Sequence, residues 1–321
     1  MFKISFNHKK RQPQQPQQPQ QSQHMTMGPQ ITKEVNFNGK FKKVVHTYQL
    51  KYKNEISSGF GDYLRGCFAL IQLCNSKGIE FDMDLSNHPI SKFIDIENKE
   101  KYDFVDRTCI RRYMDKDTNH LSSFIVNSLS VSNYIFLFCI NYPLNKNYDE
   151  SSKNFIKGKI QPNTLMENFI NDEMTKLGLI EKNFSVIHIR TGDTCLVKNK
   201  RLDNTYTYQI LKYVSPLLNP NKKYLILSDN NEMKLYFKPF KNCVFSIKPI
   251  IHLSDSVIIT DENLQNTLFD FYIMGKSSEI CSVSIYDHGS GFSEWCSVIY
   301  NIPYKKYIIP TYDLTKMRML I

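Results

Sequence analysis

The chain has no CxxC pair, no Cys/His cluster at zinc spacing, and no apolar run near the ~20 residues that a membrane-crossing helix needs. The longest such run, residues 134–140, is far too short. A zinc module and a membrane span are therefore disfavoured. The eight cysteines (67, 74, 109, 139, 195, 243, 281 and 296) lie mostly inside apolar stretches, the habit of reduced, buried thiols, so a disulfide framework is not expected. The opening residues lack the apolar core of a signal peptide. Basic helices interleaved with aromatics are also missing, which disfavours nucleic acid as a partner despite the net charge of +10. No acidic residue precedes Glu34, whereas Lys3, Lys9, Lys10 and Arg11 do, so part of the basic excess belongs to that segment. The expectation is a cytoplasmic protein. Its wealth of Asn, Lys, Ile, Tyr and Phe is that of an AT-rich genome, such as that of a large DNA virus or a protist; a viral origin would place it in the host cytoplasm.

At 321 residues, 41% hydrophobic and 22% charged, the composition is that of a soluble globular protein with one large or two medium domains. A basic surface favours anionic ligands, phosphorylated small molecules among them. Residues 1–30 are rich in Gln and Pro and hold too little apolar area to offset ordering entropy, so they are predicted to be disordered.

The remainder reads as alternating strands and helices. A strand is expected within 41–53, then the turn SSGFGDYLRG, then a helix with Leu64, Cys67, Ile71 and Cys74 on one face. Strands follow at 79–84 and 134–140 around a less regular middle, 86–132. A helix is expected at 162–179. After it, strands at 184–190, 224–228, 243–247, 279–282 and 307–309 alternate with helices at 205–217, 231–237, 262–275 and 291–300. This is a doubly wound α/β order. A boundary near residue 180 would give residues 31–180 and 181–321 as two Rossmann-like halves facing across a cleft.

Three stretches carry chemistry. In FSVIHIRTGD, a buried strand runs into a tight turn, and His188 and Arg190 leave the same strand face. The C-terminal edge of a parallel sheet is where ligands bind, and a guanidinium there suits an anion; the plainer reading is a surface arginine and a core histidine. The GFGD turn, with Gly59, Gly61 and Asp62, allows positive φ and close backbone approach to a ligand, or is needed only by the fold. In SVSIYDHGSGFSEW, Ser290, Gly291 and Phe292 open a helix with unobstructed N–H groups, suited to phosphate, or Ser290 is an N-cap. Asp270 stands in an apolar helix and needs a partner, either a protein cation or N–H, or the N–H edge of a purine such as guanine. Ser228, with Asp229, is a further strand-end position that could simply cap the next helix.

The HIRTGD run resembles the H-x-R-x-[GT]-D motif of the fucosyltransferases of GT-B type: the α1,6- and α1,2-fucosyltransferases and the protein O-fucosyltransferases. The likeness is specific over HIRTGD, the Asp270 helix and GSGFS, and the order of elements follows it over roughly residues 55–300. It implies two Rossmann-like domains, a GDP-sugar donor such as GDP-fucose with no cofactor, inversion at the anomeric carbon, no metal, and a glycan or protein acceptor. By motif match, Arg190 would hold the β-phosphate. His188 and Asp270 would meet guanine or ribose, and Ser290, Gly291 and Phe292 would cradle the diphosphate. Asp62 is a candidate general base, while Asp193 is read as stabilising its own turn. Thr191 stands where many members carry a second arginine, which leaves the linkage open. The rivals are a metal-dependent transferase using Asp82-Met83-Asp84 as a DxD pair, a basic α/β module that binds nucleic acid or glycan without catalysis, and an inactive transferase-like scaffold.

Overall fold

The computed structural model describes residues 42–52, 55–96, 118–140, 145–192, 204–253 and 259–309. The expected N-terminal disorder, Asp193, Cys109 and Cys195 lie outside these residues. The other six cysteines are free and buried, as anticipated.

Two all-parallel sheets form the frame. The first comprises β1 (Lys43–Thr47), β4 (Glu80–Asp84) and β5 (Tyr134–Phe138), in the order β4-β1-β5. The second comprises β6 (Ser185–Arg190), β7 (Tyr224–Ser228), β8 (Cys243–Val244), β9 (Glu279–Ser284) and β10 (Tyr304–Ile308), in the order β10-β9-β6-β7-β8. A two-stranded antiparallel ribbon, β2 (Lys51–Tyr52) with β3 (Glu55–Ile56), follows β1. β1 and β6 lie between neighbours on both sides, and their side chains are buried nearly throughout. Val44, Val45, Val186, Ile187 and Ile189 are wholly buried. Each such side chain contributes about 1.5–3 kcal/mol of burial free energy.

The helices are α1 (Phe60–Asn75), α2 (Thr118–Val131), α3 (Glu150–Lys159), α4 (Thr164–Lys176), α5 (Asn204–Val214), α6 (Asn231–Leu235), α7 (Asp261–Gly275) and α8 (Gly291–Tyr300). The apolar face expected for α1 is buried at Leu64, Cys67, Ile71 and Cys74. α2 falls in the stretch taken to be irregular, and α3 was not expected at all. α3 is short and polar, and its start is secured by Asp149, whose carboxylate accepts from the Ser152 N–H at 2.7 Å. The helix expected from Pro162 begins after it, capped by Asn163, because the 162 position pairs with Ile94 in an isolated bridge. The last strand covers 304–308, three residues earlier than anticipated, and β8 is only two residues long.

One apolar cluster runs through both sets of elements. Phe60, Phe68 and Leu64 of α1 pack with Phe271 of α7 and Trp295 of α8; the Phe60 and Phe271 rings meet edge-on at 5.1 Å and Phe68 stacks on Trp295 at 5.1 Å. This packing brings the start of α1 against the start of α8, at the C-terminal edges of both sheets.

Candidate functional site

In the second sheet the chain steps from β6 outward to β7 and β8, then returns to the other side of β6 for β9 and β10. The strand order therefore reverses beside β6, and a crevice opens at the carboxyl end of such a reversal. Arg190 ends β6 there. Its guanidinium pairs with Asp229 at 3.1 Å, just past the end of β7. The same carboxylate accepts from the Thr191 N–H at 2.7 Å, the Thr191 hydroxyl at 2.7 Å and the Gly192 N–H at 3.1 Å. Gly192 has φ +110, and a Cβ there would stand 2.9 Å from Ile285 Cδ1, so the turn demands glycine. Charge-assisted hydrogen bonds contribute about 1.5–3 kcal/mol each, so Asp229 sets the direction of Arg190. The sequence marks Asp229 only by its place after a strand; its grip on the HIRTG turn needs the fold to be seen.

Two helix starts converge on the same point. Gly59 is the N-cap of α1 and Ser290 that of α8, and neither helix has a side-chain cap. The first-turn N–H groups of both are thus left to other partners. A Cβ on Gly61 would fall 2.5 Å from the Gly291 carbonyl carbon and 2.6 Å from the Phe292 nitrogen. That contact is backbone on backbone, which explains glycine at 61. The expected reason, positive φ in the GFGD turn, is wrong: Gly59 has φ −60, and Phe60 to Asp62 are the first turn of the helix itself. The N-capping alternative for Ser290 also fails, since its hydroxyl makes no cap hydrogen bond. Ser228, by contrast, does act locally: its hydroxyl accepts from the Asn230 N–H at 3.1 Å.

The wall between these features is apolar and holds ionisable groups. His188 is 6% exposed and its Nδ1 has no hydrogen-bond partner among the described residues. Burial pushes this imidazole down to about 3, helped by Arg190 and Lys234. Asp270, on α7, accepts no hydrogen bond from a described residue; burial raises its carboxyl to about 6, against the pull of Lys234 and Lys248. Lys234, on α6, is 2% exposed and donates to the Ser246 carbonyl at 3.2 Å. Burial lowers its ammonium, while Asp270 and Asp229 favour its charge.

His188, Arg190, Asp229, Asp270 and the two helix starts line a cavity of about 760 Å³. Its volume is within the usual ~300–1,000 Å³ of small-molecule sites. Gly59, Gly61, Asp62, His188, Arg190, Ser228, Asp270, Ser290, Gly291 and Phe292 all line it, so the described candidates other than the DxD pair are in one place. Arg65, Lys146, Tyr148, Glu294 and the Tyr286–His288 pair also line it and carried no signal in the sequence. Asp82 and Asp84 do not line it. Asp82 pairs with Lys159, and Asp84 takes hydrogen bonds from Ser86 at 2.5 Å and Asn87 at 3.3 Å. The DxD pair is thereby engaged by the protein.

No protein-family model matches this chain, and no curated protein matches it in sequence. Among solved structures, NodZ α-1,6-fucosyltransferase soaked with GDP-fucose is similar over 81% of this chain and 93% of that one, at 12% identity and a TM-score of 0.49. The fucosyltransferase NodZ from Bradyrhizobium is similar over 81% and 94%, at 14% identity and a TM-score of 0.46. A variant of Arabidopsis thaliana FUT1 in complex with GDP is similar over 86% of this chain and 72% of that one, at 10% identity and a TM-score of 0.48. All these scores are below 0.5.

Proposed function

We propose that the cavity holds a nucleoside diphosphate sugar and that the protein is an inverting glycosyltransferase, with GDP-fucose as the donor. The observation that carries this reading is the meeting of two helix starts, both without side-chain caps, beside Arg190 in one cavity. Backbone N–H groups at the positive end of a helix favour phosphate, and two such ends with a guanidinium suit a diphosphate better than any uncharged ligand. Asp270 and the unpaired His188 supply the polar contacts that a base and ribose require in an otherwise apolar wall. Guanine, with adjacent N–H donors on one edge, suits a carboxylate that has no protein donor. The choice of fucose rests on the HIRTGD resemblance.

In the reaction, an acceptor hydroxyl oxygen attacks the anomeric carbon from the side opposite the diphosphate. The bond from that carbon to the β-phosphate oxygen breaks, its electron pair stays on GDP, and the hydroxyl proton passes to Asp62. Negative charge grows on the leaving diphosphate, and Arg190 with the α1 and α8 N–H groups stabilises it more in the transition state than in the ground state. This reading assigns charge neutralisation to protein groups and so needs no metal. With the halves divided near residue 180, residues 181–321 supply most of the donor contacts, and residues 31–180 form the acceptor side and reach the diphosphate with the start of α1.

The test is thermal stabilisation by nucleotides. GDP and GDP-fucose are expected to raise the melting temperature more than UDP or UDP-sugars, since a specific ligand stabilises by mass action. Equal shifts for GDP and UDP would remove the guanine assignment. No shift with any nucleotide would remove the donor site.

A further inference from the structure

The strap formed by residues 249–253 is held from two sides. From α7, Asn266 donates to the Pro249 carbonyl at 3.0 Å, and the Thr267 hydroxyl accepts from the Ile251 N–H at 3.0 Å. From the turn after β4, the buried His88 accepts from the Ile90 N–H at Nδ1, 3.2 Å away. That leaves its Nε2 to donate to the Leu253 carbonyl at 3.1 Å. The His88 ring in turn stacks on Tyr48 at 4.1 Å. Between these anchors stands His252, half-buried and lining the cavity. Its ring edge lies over the start of α1: a Cβ on Gly59 would stand 3.3 Å from His252 Cε1 and 3.4 Å from Nε2. Asp62 Oδ2 is 3.9 Å from the same point. Glycine at 59 thus leaves room for the ring. An imidazole on a fixed backbone, sharing one spot in a cavity with a carboxylate, is an arrangement that proton transfer can use.

We propose that His252 takes on the proton that Asp62 receives, so that the two side chains work as one acid–base pair. The inference rests on the donor-site reading above, which it deepens. An ordinary carboxylate in water is a weak base and holds a proton for only about a thousandth of the time at pH 7. An imidazole titrates close to neutral pH and is the better place for that proton. As the oxygen of the nucleophile bonds to the anomeric carbon, the bond from that carbon to the β-phosphate oxygen breaks, and its electron pair leaves with GDP. The proton of the nucleophile passes to the Asp62 carboxylate and from there to the Nε2 lone pair of His252. The carboxylate is restored, and the imidazolium returns the proton to water. His252 therefore acts through Asp62 on the nucleophile and is no ligand of the nucleotide.

The experiment measures hydrolysis of GDP-fucose, with water as the nucleophile, so that no acceptor is needed. His252→Ala and His252→Gln are each expected to lower the rate roughly 10²-fold, the low end for a group that transfers protons. Added imidazole should restore much of the rate in His252→Ala, where the ring has room, and none in His252→Gln. Asp62→Asn combined with His252→Ala should be little slower than Asp62→Asn alone, because groups that act as a unit are lost together. GDP-induced thermal stabilisation of both His252 variants should match wild type. A wild-type rate in His252→Ala, a loss that imidazole leaves untouched, or a loss accompanied by a smaller GDP shift would overturn the pair. A wild type that GDP fails to stabilise would overturn the donor reading instead. The pair is then decided by NMR titration of the His252 imidazole, which should move to lower pH in Asp62→Asn as the facing carboxylate is lost. An unmoved titration would sink it.

Discussion

β1 and β6 occupy the same place in their sheets, central, parallel on both sides and buried, and each carries a histidine in its fourth position. The two histidines live differently. His46 is closed into the protein: Nδ1 lies 3.3 Å from the Cys67 sulfur, Nε2 accepts from the Ile140 N–H at 3.4 Å, and the ring stacks on Tyr63 at 4.5 Å. His188 has an unpaired Nδ1 and faces the cavity, with the Phe292 ring 6.0 Å away. Burial pushes both imidazoles down to about 3, so both are neutral near pH 7. Leaving a buried polar atom unmade costs about 1–3 kcal/mol. The first sheet has an orphan of its own, the Thr47 hydroxyl, but it does not line the cavity. In the second sheet the Tyr304 hydroxyl of β10 is likewise off the cavity, but His188 Nδ1 lies where a ligand can complete its hydrogen bond. Similar strand patterns are thus put to different uses: one secures a core and the other keeps an open site.

Arg190 is the sharpest break in that symmetry, since β1 ends in Thr47 and has no counterpart to it. Arg190→Ala is expected to lower turnover by roughly 10²–10³-fold, the range for one lost charge-stabilising donor. Arg190→Lys should recover little, because an ammonium lacks the planar fork that reaches both Asp229 and a phosphate. Donor hydrolysis without acceptor is the readout. A wild-type rate in a destabilised variant would return Arg190 to a purely structural role.

The strands β6 and β7 and the α8 start were legible because buried parallel strands and small-residue helix starts leave local patterns. The residues that unite them were not. Asp229 looks like any residue after a strand until the turn it holds is seen folded. Gly61 was read as a turn glycine, because sequence does not show that another helix's backbone will stand 2.5 Å from its missing Cβ. Tyr148, Arg65 and Glu294 lie in segments whose distance along the chain, from 65 to 294, hides their proximity. α2 and α3 were missed since they follow or precede polar stretches with little periodic contrast.

Exchanging the histidines for leucine tests the comparison itself. His46→Leu should destabilise by about 1–3 kcal/mol, since it orphans the Ile140 N–H and the Cys67 thiol. GDP affinity in that variant should be near wild type. His188→Leu should leave stability within about 1 kcal/mol, because replacing an unpaired buried polar group by an apolar one of similar size is close to neutral. Its GDP affinity should fall roughly five- to tenfold, the worth of one hydrogen bond to the ligand. Chemical denaturation and nucleotide titration measure the two quantities separately. If both variants lose stability equally and bind GDP equally, the two strands are equivalent and His188 has no ligand.

The smallest effect is also the most specific, and it concerns pH. Burial raises the Asp270 carboxyl from 3.8 to about 6. Between those values the folded protein keeps the proton while the unfolded chain gives it up. Stability owed to this group is therefore full below about pH 4 and is lost as pH rises through 6. Asp270→Asn removes the penalty, so above pH 6 the variant should be more stable than wild type by roughly 1–3 kcal/mol, with the gap closing towards pH 4. The buried neutral histidines His46, His88 and His188, all lowered, act in the opposite sense: they lose stability as pH falls below 6.5. Both proteins carry those histidines, so the difference between wild type and variant at each pH isolates Asp270. Ligand binding should move against stability. A carboxylate accepting from guanine must be ionised, so GDP affinity of wild type should fall as pH drops through 6, whereas the variant should bind weakly and with a flatter profile. Scanning calorimetry from pH 8 to pH 4.5, with and without GDP, gives both curves. A wild-type GDP affinity that holds steady through pH 6 would detach Asp270 from the base while leaving its effect on the fold in place.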